Sequence, residues 1–178
     1  MRFVLYNGTE RILFWVETRM TKVDEVVLRE YLRGDLDGIV RLDERCFDEE
    51  FRFDRRSMQA YAEARNAISL IAEREGDIVG FVIAHLDHVA AGLRGYIVTL
   101  DVAAEYRRRG LARRMMEAVE MLVKAAGAPR MELHVFRENE PAIRFYERVG
   151  YERIAMLRGF YGTDGLDALE YRKELTGL

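Results

Sequence analysis

Five arginines crowd one short stretch: Arg107-Arg108-Arg109 runs into Gly110-Leu111-Ala112, and Arg113-Arg114 follows. Upstream, residues 96–102 (Tyr-Ile-Val-Thr-Leu-Asp-Val) are rich in β-branched and aromatic side chains and read as a strand. Downstream, Leu111, Met115, Val119 and Leu122 recur at i, i+4, i+8 and i+11, one face of a helix that starts near Gly110. A helix opening straight after a glycine turn has backbone N–H groups with no intrahelical acceptor. Together with the helix dipole they attract an anion. Small residues at 110 and 112 allow a phosphate to approach the backbone, and the guanidinium groups add charge around it. The stretch reads as a diphosphate cradle. It lacks the Gly-x-x-x-x-Gly-Lys-Ser/Thr of a Walker loop and the three spaced glycines of a dinucleotide fold. Taken alone, the same arginines also suit a solvated helix start or a nucleic-acid patch.

A second set of residues suits proton transfer. Glu132, His134 and Phe136 alternate along a predicted strand and share one of its faces. An imidazole titrates near neutrality, so His134 suits deprotonation of an amine, directly or through water; a histidine packed in a sheet is the competing reading. His85-x-x-His88 alternates faces at a strand end with no cysteine or third histidine nearby in sequence, so no metal site is read there. Cys46 is the only cysteine. It falls among apolar helix positions and reads as core, and without a partner it fits a reducing compartment.

The elements that must position these residues follow from pattern and punctuation. Residues 1–19 form a hairpin-like extension, with strands at 3–6 and 12–16 around Asn7-Gly8. The remaining 20–178 read as one domain. It holds a strand at 26–31, a helix at 35–46, a loop at 47–51 and a helix at 54–64 capped by Asp54. Strands at 68–73 and 78–86 meet at Glu75-Gly76-Asp77 and precede the 96–102 strand. The helix after Gly110 stops at Gly127-Ala128-Pro129. A strand at 131–136, a helix at 140–149 with Asn139 as cap and Pro141 in its first turn, and strands at 151–157 and 168–175 complete the chain. The order β-α-α-β-β-β-α-β-α-β-β predicts an α/β domain, one mixed central sheet flanked by about four helices.

The totals narrow the function classes. Lys plus Arg is 28 against 31 Asp plus Glu, a net charge of −3, which does not suit a general nucleic-acid binder. An apolar fraction of 49 % supports a full core, and 2 prolines leave little room for a disordered linker. No apolar run reaches the ~18 residues of a membrane span. The first residues do not read as a secretory leader, so a cytoplasmic protein without membrane or nucleic-acid partners is expected.

Arg107-x-x-Gly110-x-Ala112 after a strand resembles the acetyl-CoA signature Arg/Gln-x-x-Gly-x-Gly/Ala of the GNAT N-acetyltransferases. The resemblance extends over about 25–175 through Tyr96-Ile97-Val98-Thr99-Leu100, Leu133-His134-Val135, Asn139-x-x-Ala142-Ile143-x-x-Tyr146 and Gly150-Tyr151. These look like the Nα-acetyltransferase branch, which includes the bacterial ribosomal-protein alanine acetyltransferases and the enzymes that acetylate protein N-termini in eukaryotes and archaea. Arg158-Gly159-Phe160-Tyr161 followed by Asp167-Ala168 resembles their substrate-side hairpin.

What the resemblance implies is specific. Leu100, Asp101 and Val102 would meet the pantetheine arm of acetyl-CoA, the co-substrate. Arg108, Arg109, Gly110, Leu111, Ala112 and Arg113 would hold its diphosphate, and Asn139 would contact it as well. Tyr146 would donate a proton to the departing sulfur. His134, Tyr96 and Glu49 are the base candidates. Phe47, Phe51, Phe160 and Tyr161 would receive the acceptor, a protein or peptide N-terminus, with a ribosomal protein as one such partner. Asp48 stands where the family usually has a proline. Histidine at 134 resembles the methionine-directed enzymes, whereas Glu49 resembles those preferring small first residues. A lysine or polyamine acetyltransferase and a non-catalytic acyl-CoA-binding regulatory module are the alternatives. No oligomeric state and no metal is indicated.

Overall fold

The computed structural model of the protein describes residues 2–7, 10–15, 26–162 and 166–175. Strands β1 (Arg2–Asn7) and β2 (Glu10–Trp15) pair antiparallel as a two-stranded sheet of their own, with Asn7 opposite Glu10. Gly8 of the expected turn, Val16, and residues 163–165 of the expected late loop lie outside the described residues.

The main sheet has seven strands: β3 (Val27–Glu30), β4 (Ala67–Arg74), β5 (Asp77–Val89), β6 (Gly92–Val102), β7 (Arg130–Phe136), β8 (Glu152–Leu157) and β9 (Ala168–Glu174). The helices are α1 (Leu36–Cys46), α2 (Arg55–Ala62), α3 (Leu111–Ala125) and α4 (Glu140–Arg148). Their succession is the one expected from the sequence. The spatial order is β3-β4-β5-β6-β7-β9-β8, with β6 and β7 parallel and every other pair antiparallel. Two boundaries differ from the sequence reading. β5 and β6 run on to Val89 and back from Gly92, because polar residues such as Asp87 and Arg94 continue the pairing. The expected loop at 47–51 contains a 3-10 turn at Glu49–Phe51, closed by Phe51 N–H donating to Asp48 C=O at 2.9 Å.

Periodicity becomes packing on both faces. Leu111, Met115, Val119 and Leu122 of α3 are buried against Val82, Ile97, Met131 and Leu133. On the opposite face, Ile39, Leu42 and Met58 of α1 and α2 cover Ile71, Phe81 and Ile83. The predicted caps form. Asp54 accepts from Ser57 N–H at 2.8 Å, and Gly127 takes a left-handed φ of 92° just past α3.

Gly95 lies where β6 passes under α3. A Cβ there would sit 2.6 Å from Val123 Cγ1 and press on the Met131 sulfur. Overpacking of this kind costs about 1–3 kcal/mol. Gly95→Ala should therefore lower the urea midpoint accordingly; an unchanged midpoint would mean that α3 shifts freely.

Two carboxyl groups are buried between α1 and β6. Asp43 Oδ2 accepts from Phe53 N–H at 3.0 Å, and Asp101 Oδ1 accepts from the Thr99 hydroxyl at 2.6 Å. Among the described residues, Asp43 Oδ1 and Asp101 Oδ2 have no partner. Burial pushes Asp43 up to about 6 and, with the Asp43 charge added, Asp101 well above the carboxylate range. A carboxyl raised in the folded state contributes stability below its unfolded value, and that stability is lost as pH climbs through the folded value. Asp43→Asn keeps an acceptor for Phe53 and removes the charge. Relative to wild type it should gain stability at pH 8 and gain less at pH 5, read by chemical denaturation at both; a pH-independent difference contradicts the assignment.

Candidate active site

The strands on either side of the parallel pair part company. β6 and β7 are registered only at Gly95–Met131, Tyr96–Glu132 and Ile97–Leu133. Beyond Ile97, β6 stays paired with β5 through Thr99, Leu100, Asp101 and Val102, while β7 continues against β9. A bulge starts the divergence: Ile83 faces Thr99 and the next residue, Ala84, faces Ile97, so Val98 is the extra residue of β6. Backbone groups alternate along a strand, and Ala103 N–H bonds Val79 C=O on the β5 side. Leu100 and Val102 therefore turn their backbone groups to the β7-facing edge, where no strand pairs with them, while Asp101 between them turns its own to β5.

The arginine-rich turn closes this wedge at one end. Arg107 Nε donates to Val102 C=O at 2.9 Å and ties the turn to the strand. Arg108 and Gly110 both take left-handed φ, 60° and 82°, and Gly110 is the N-cap of α3 with no side-chain cap. A glycine suits that φ, and the space in front of it is open, with no atom within 4 Å of where a Cβ would stand. The first α3 bond is Arg114 N–H to Gly110 C=O at 3.0 Å, so the N–H groups of Leu111, Ala112 and Arg113 precede the ladder. The Leu111 side chain is buried; Arg108, Arg109 and Arg113 are exposed, Arg109 stacks 5.8 Å from the Tyr106 ring centre, and Arg113 pairs with Glu117 at 2.7 Å. Open strand amides followed by an uncapped, arginine-flanked helix start fit a ligand with an amide-bearing arm and a diphosphate.

At the other side of the wedge stand the titratable groups. The Tyr96 hydroxyl lies 2.8 Å from His134 Nδ1. Among the described residues, His134 Nε2 is buried without a partner. Burial lowers the affinity of this imidazole for a proton and pushes the Tyr96 hydroxyl up to about 12. Tyr146, on α4, is buried against Phe145 and Tyr151, with ring centres 5.2 and 5.8 Å away. Burial raises its hydroxyl above the tyrosine range, and Asp101, Tyr161 and Tyr96 are near enough to add to the effect. Asn139 caps α4, its Oδ1 accepting from Ala142 N–H at 3.2 Å.

Aromatic rings wall the space beside His134. Phe160 stacks on the imidazole at 4.3 Å and 25°. Tyr161 lies edge-on to Phe160 at 5.0 Å and to Phe51 at 5.2 Å, and Phe51 meets Phe136 at 4.9 Å. Asp167 holds the turn that carries Phe160 and Tyr161: it accepts from Gly159 N–H at 3.0 Å and from Arg137 Nη1 at 2.9 Å, which pull its carboxyl below the usual range.

Of the expected acceptor residues, the structure brings Phe51, Phe160 and Tyr161 together with His134 and Tyr96. Phe47 is half-buried at the end of α1, its carbonyl accepting from Arg52 Nε at 2.7 Å, and Glu49 is exposed on the 3-10 turn. Phe136 was not read as a wall of the site, although strand alternation had set it on the His134 face. Asp167 belongs to the segment that resembles the substrate-side hairpin, but no local pattern foretells that it holds the turn through Gly159 and Arg137. His85 Nε2 lies 2.9 Å from Tyr61 C=O, a backbone partner.

Comparison with known proteins places these features. Residues 36–151 match the acetyltransferase (GNAT) family. N-alpha-acetyltransferase 30 of Schizosaccharomyces pombe is 36 % identical over 104 residues, covering 58 % of this chain and 69 % of that protein. An N-alpha-acetyltransferase of Sulfurisphaera tokodaii is 24 % identical over 156 residues, 83 % of this chain and 92 % of that one. The crystal structure of the ribosomal-protein-S18-alanine N-acetyltransferase from Escherichia coli superposes with a TM-score of 0.74 at 19 % identity, covering 86 % of this chain and 96 % of that one. The parted parallel strands, the uncapped helix start and the family match converge: the chain belongs to the GNAT acetyltransferase family and is an N-acetyltransferase.

Proposed function

We propose that this enzyme transfers acetyl from acetyl-CoA to the N-terminal α-amino group of a protein or peptide. The observation that carries the reading is the Tyr96–His134 pair at 2.8 Å with an unpartnered Nε2 in a pocket of aromatic rings. An imidazole nitrogen that is buried, unbonded and disinclined to hold a proton suits a general base. The names of the relatives from Schizosaccharomyces pombe and Sulfurisphaera tokodaii support an α-amino acceptor over a lysine side chain.

Acetyl-CoA brings an activated thioester carbonyl. In this reading the backbone groups of Leu100 and Val102 that face the wedge orient its arm, with Asp101 between them bonded to β5. The N–H groups of Leu111, Ala112 and Arg113, with Arg108 and Arg109 beside Gly110, hold its diphosphate. Asn139, whose Oδ1 is taken by the α4 cap, would contact the coenzyme through its amide N–H groups. His134, bonded to Tyr96, takes the proton of the α-ammonium, and the neutral amine attacks directly. Tyr146, its hydroxyl kept protonated by burial, donates to the sulfur as the C–S bond breaks, and the second proton shed by the new amide nitrogen restores the tyrosine, directly or through water. Glu49, exposed at the rim with Asp48 and Glu50, draws the ammonium inward rather than serving as the base. The rings of Phe51, Phe136, Phe160 and Tyr161, with Phe47 behind, favour an apolar first side chain such as methionine or leucine.

A peptide panel varied at the first two residues, incubated with acetyl-CoA and read by mass spectrometry, tests the acceptor. Acetylation should fall on the α-amine, with Met- or Leu-initiated peptides preferred over Ala or Ser by about tenfold or more. Product confined to lysine side chains would reject the proposal. Tyr146→Phe and His134→Gln should each lower kcat by about 10²-fold or more while coenzyme affinity is retained; undiminished turnover removes the role of the residue concerned.

A further inference from the structure

Behind the Tyr96–His134 pair lies a buried carboxylate. Glu132 has 3 % of its side chain exposed and is approached by three guanidinium groups. Arg94 Nη1 bonds Oε2, while Arg130 Nε and Arg172 Nε bond Oε1 at 2.9 and 3.0 Å. Burial works against this charge, and the bonds from Arg94 and Arg130 overcome it, holding the carboxyl below its usual range. Arg94 is thereby fixed. Its second terminal nitrogen faces Asp87 Oδ2 at 3.6 Å, and its guanidinium carbon lies 5.2 Å from the Tyr96 ring centre. Among the described residues its Nε is buried without a partner, an expense that a merely solvated arginine avoids.

We infer that Arg94, clamped by Glu132, is a positioning residue for the base: it fixes the Tyr96 ring, and Tyr96 fixes His134. The inference rests on His134 being the base. Tyr96 is registered beside Glu132 on the neighbouring strand, and the Arg94 guanidinium carbon, 5.2 Å from the Tyr96 ring centre, is within cation–π range.

The other charged groups around His134 set the balance. Glu170 on β9 lies opposite it in register and favours its protonation, as does Glu132; burial and Arg94 oppose it. Tyr161 belongs to the turn beside it, and Glu49 and Glu50, on the segment that carries Phe51, are exposed to water. Arg94 is thus the cationic group that offsets the nearby carboxylates.

The test is an NMR titration of the His134 ring in the full chain. The protein has three histidines, so the signal is assigned by its loss in His134→Gln. In Arg94→Gln the midpoint should rise by about half a unit to one unit, roughly three- to tenfold in the protonation constant. Arg94→Lys keeps the charge and should titrate close to wild type, but it lacks the planar fork that spans Glu132 and Tyr96, so kcat should fall several-fold with little change in acceptor KM. An unmoved midpoint in folded Arg94→Gln, or full kcat in Arg94→Lys, overturns the inference. Should Arg94→Gln not fold, Arg94→Lys carries the test alone: a several-fold loss of kcat with little change in acceptor KM supports the clamp, and full kcat overturns it. The titration needs no acceptor, so a raised midpoint in a protein that acetylates no α-amine supports the clamp while rejecting the proposed function.

Discussion

Everything in this molecule turns on two parallel strands that bond for three residue pairs and then separate. A sheet normally satisfies its backbone groups by continuing its ladder, and an interior strand edge left open must find other partners. Here β6 bends away at the Val98 bulge while still bonded to β5, and β7 follows β9. The wedge between them lies inside the sheet instead of at its rim. It therefore has a floor, two walls and one end closed by the start of α3. In the proposed reading, a ligand laid along β6 takes the place of the missing strand and its anionic end reaches the amides that α3 leaves unbonded.

The same separation brings chemistry from both faces of the sheet to one place. Tyr146 arrives on α4, which packs with α3 on one face. His134 belongs to the other, where α1 and α2 cover β4 and β5. On β6, β7 and β9 that second face carries Arg94, Tyr96, Glu132, His134 and Arg172 in place of an apolar layer. Buried charge is tolerated there because it is shared: Glu132 alone holds three guanidinium groups. Asp43 and Asp101, just under the bulged end of β6, follow the opposite rule. They are buried without cationic bonds and are pushed toward their neutral forms. One sheet thus holds a shared charged network around Glu132 and, at the bulged end of β6, two carboxyls whose charge burial disfavours.

Much of this was legible in the residues. Helical periodicity located α3 to within a residue or two, because its apolar stripe is strong and Gly110 and Gly127 bracket it. Strand alternation put Glu132, His134 and Phe136 on a common face before any contact was known. The arginine-rich turn signalled an anion site through residue type alone. The rest is tertiary. No glycine or proline marks the bulge at Val98, so nothing local foretells that β6 leaves β7. Arg94 and Glu132 are 38 positions apart, and Phe51 and Phe136 meet across the fold. The role of Asp167 in holding its turn shows only in its bonds to Gly159 and Arg137. Asp48 C=O accepts from Phe51 N–H and closes the 3-10 turn that carries Phe51.

The central claim is that the open amides of β6 and α3 are one continuous binding surface for the coenzyme. Backbone amide shifts measured by ¹⁵N NMR while coenzyme A is added to the full chain test it most directly. The account predicts saturable shifts concentrated at Leu100–Val102 and Leu111–Arg113, with those in α1 and α2 small by comparison. A folded protein in which these six amides stay still, whether because coenzyme A does not bind or because it binds elsewhere, would contradict it.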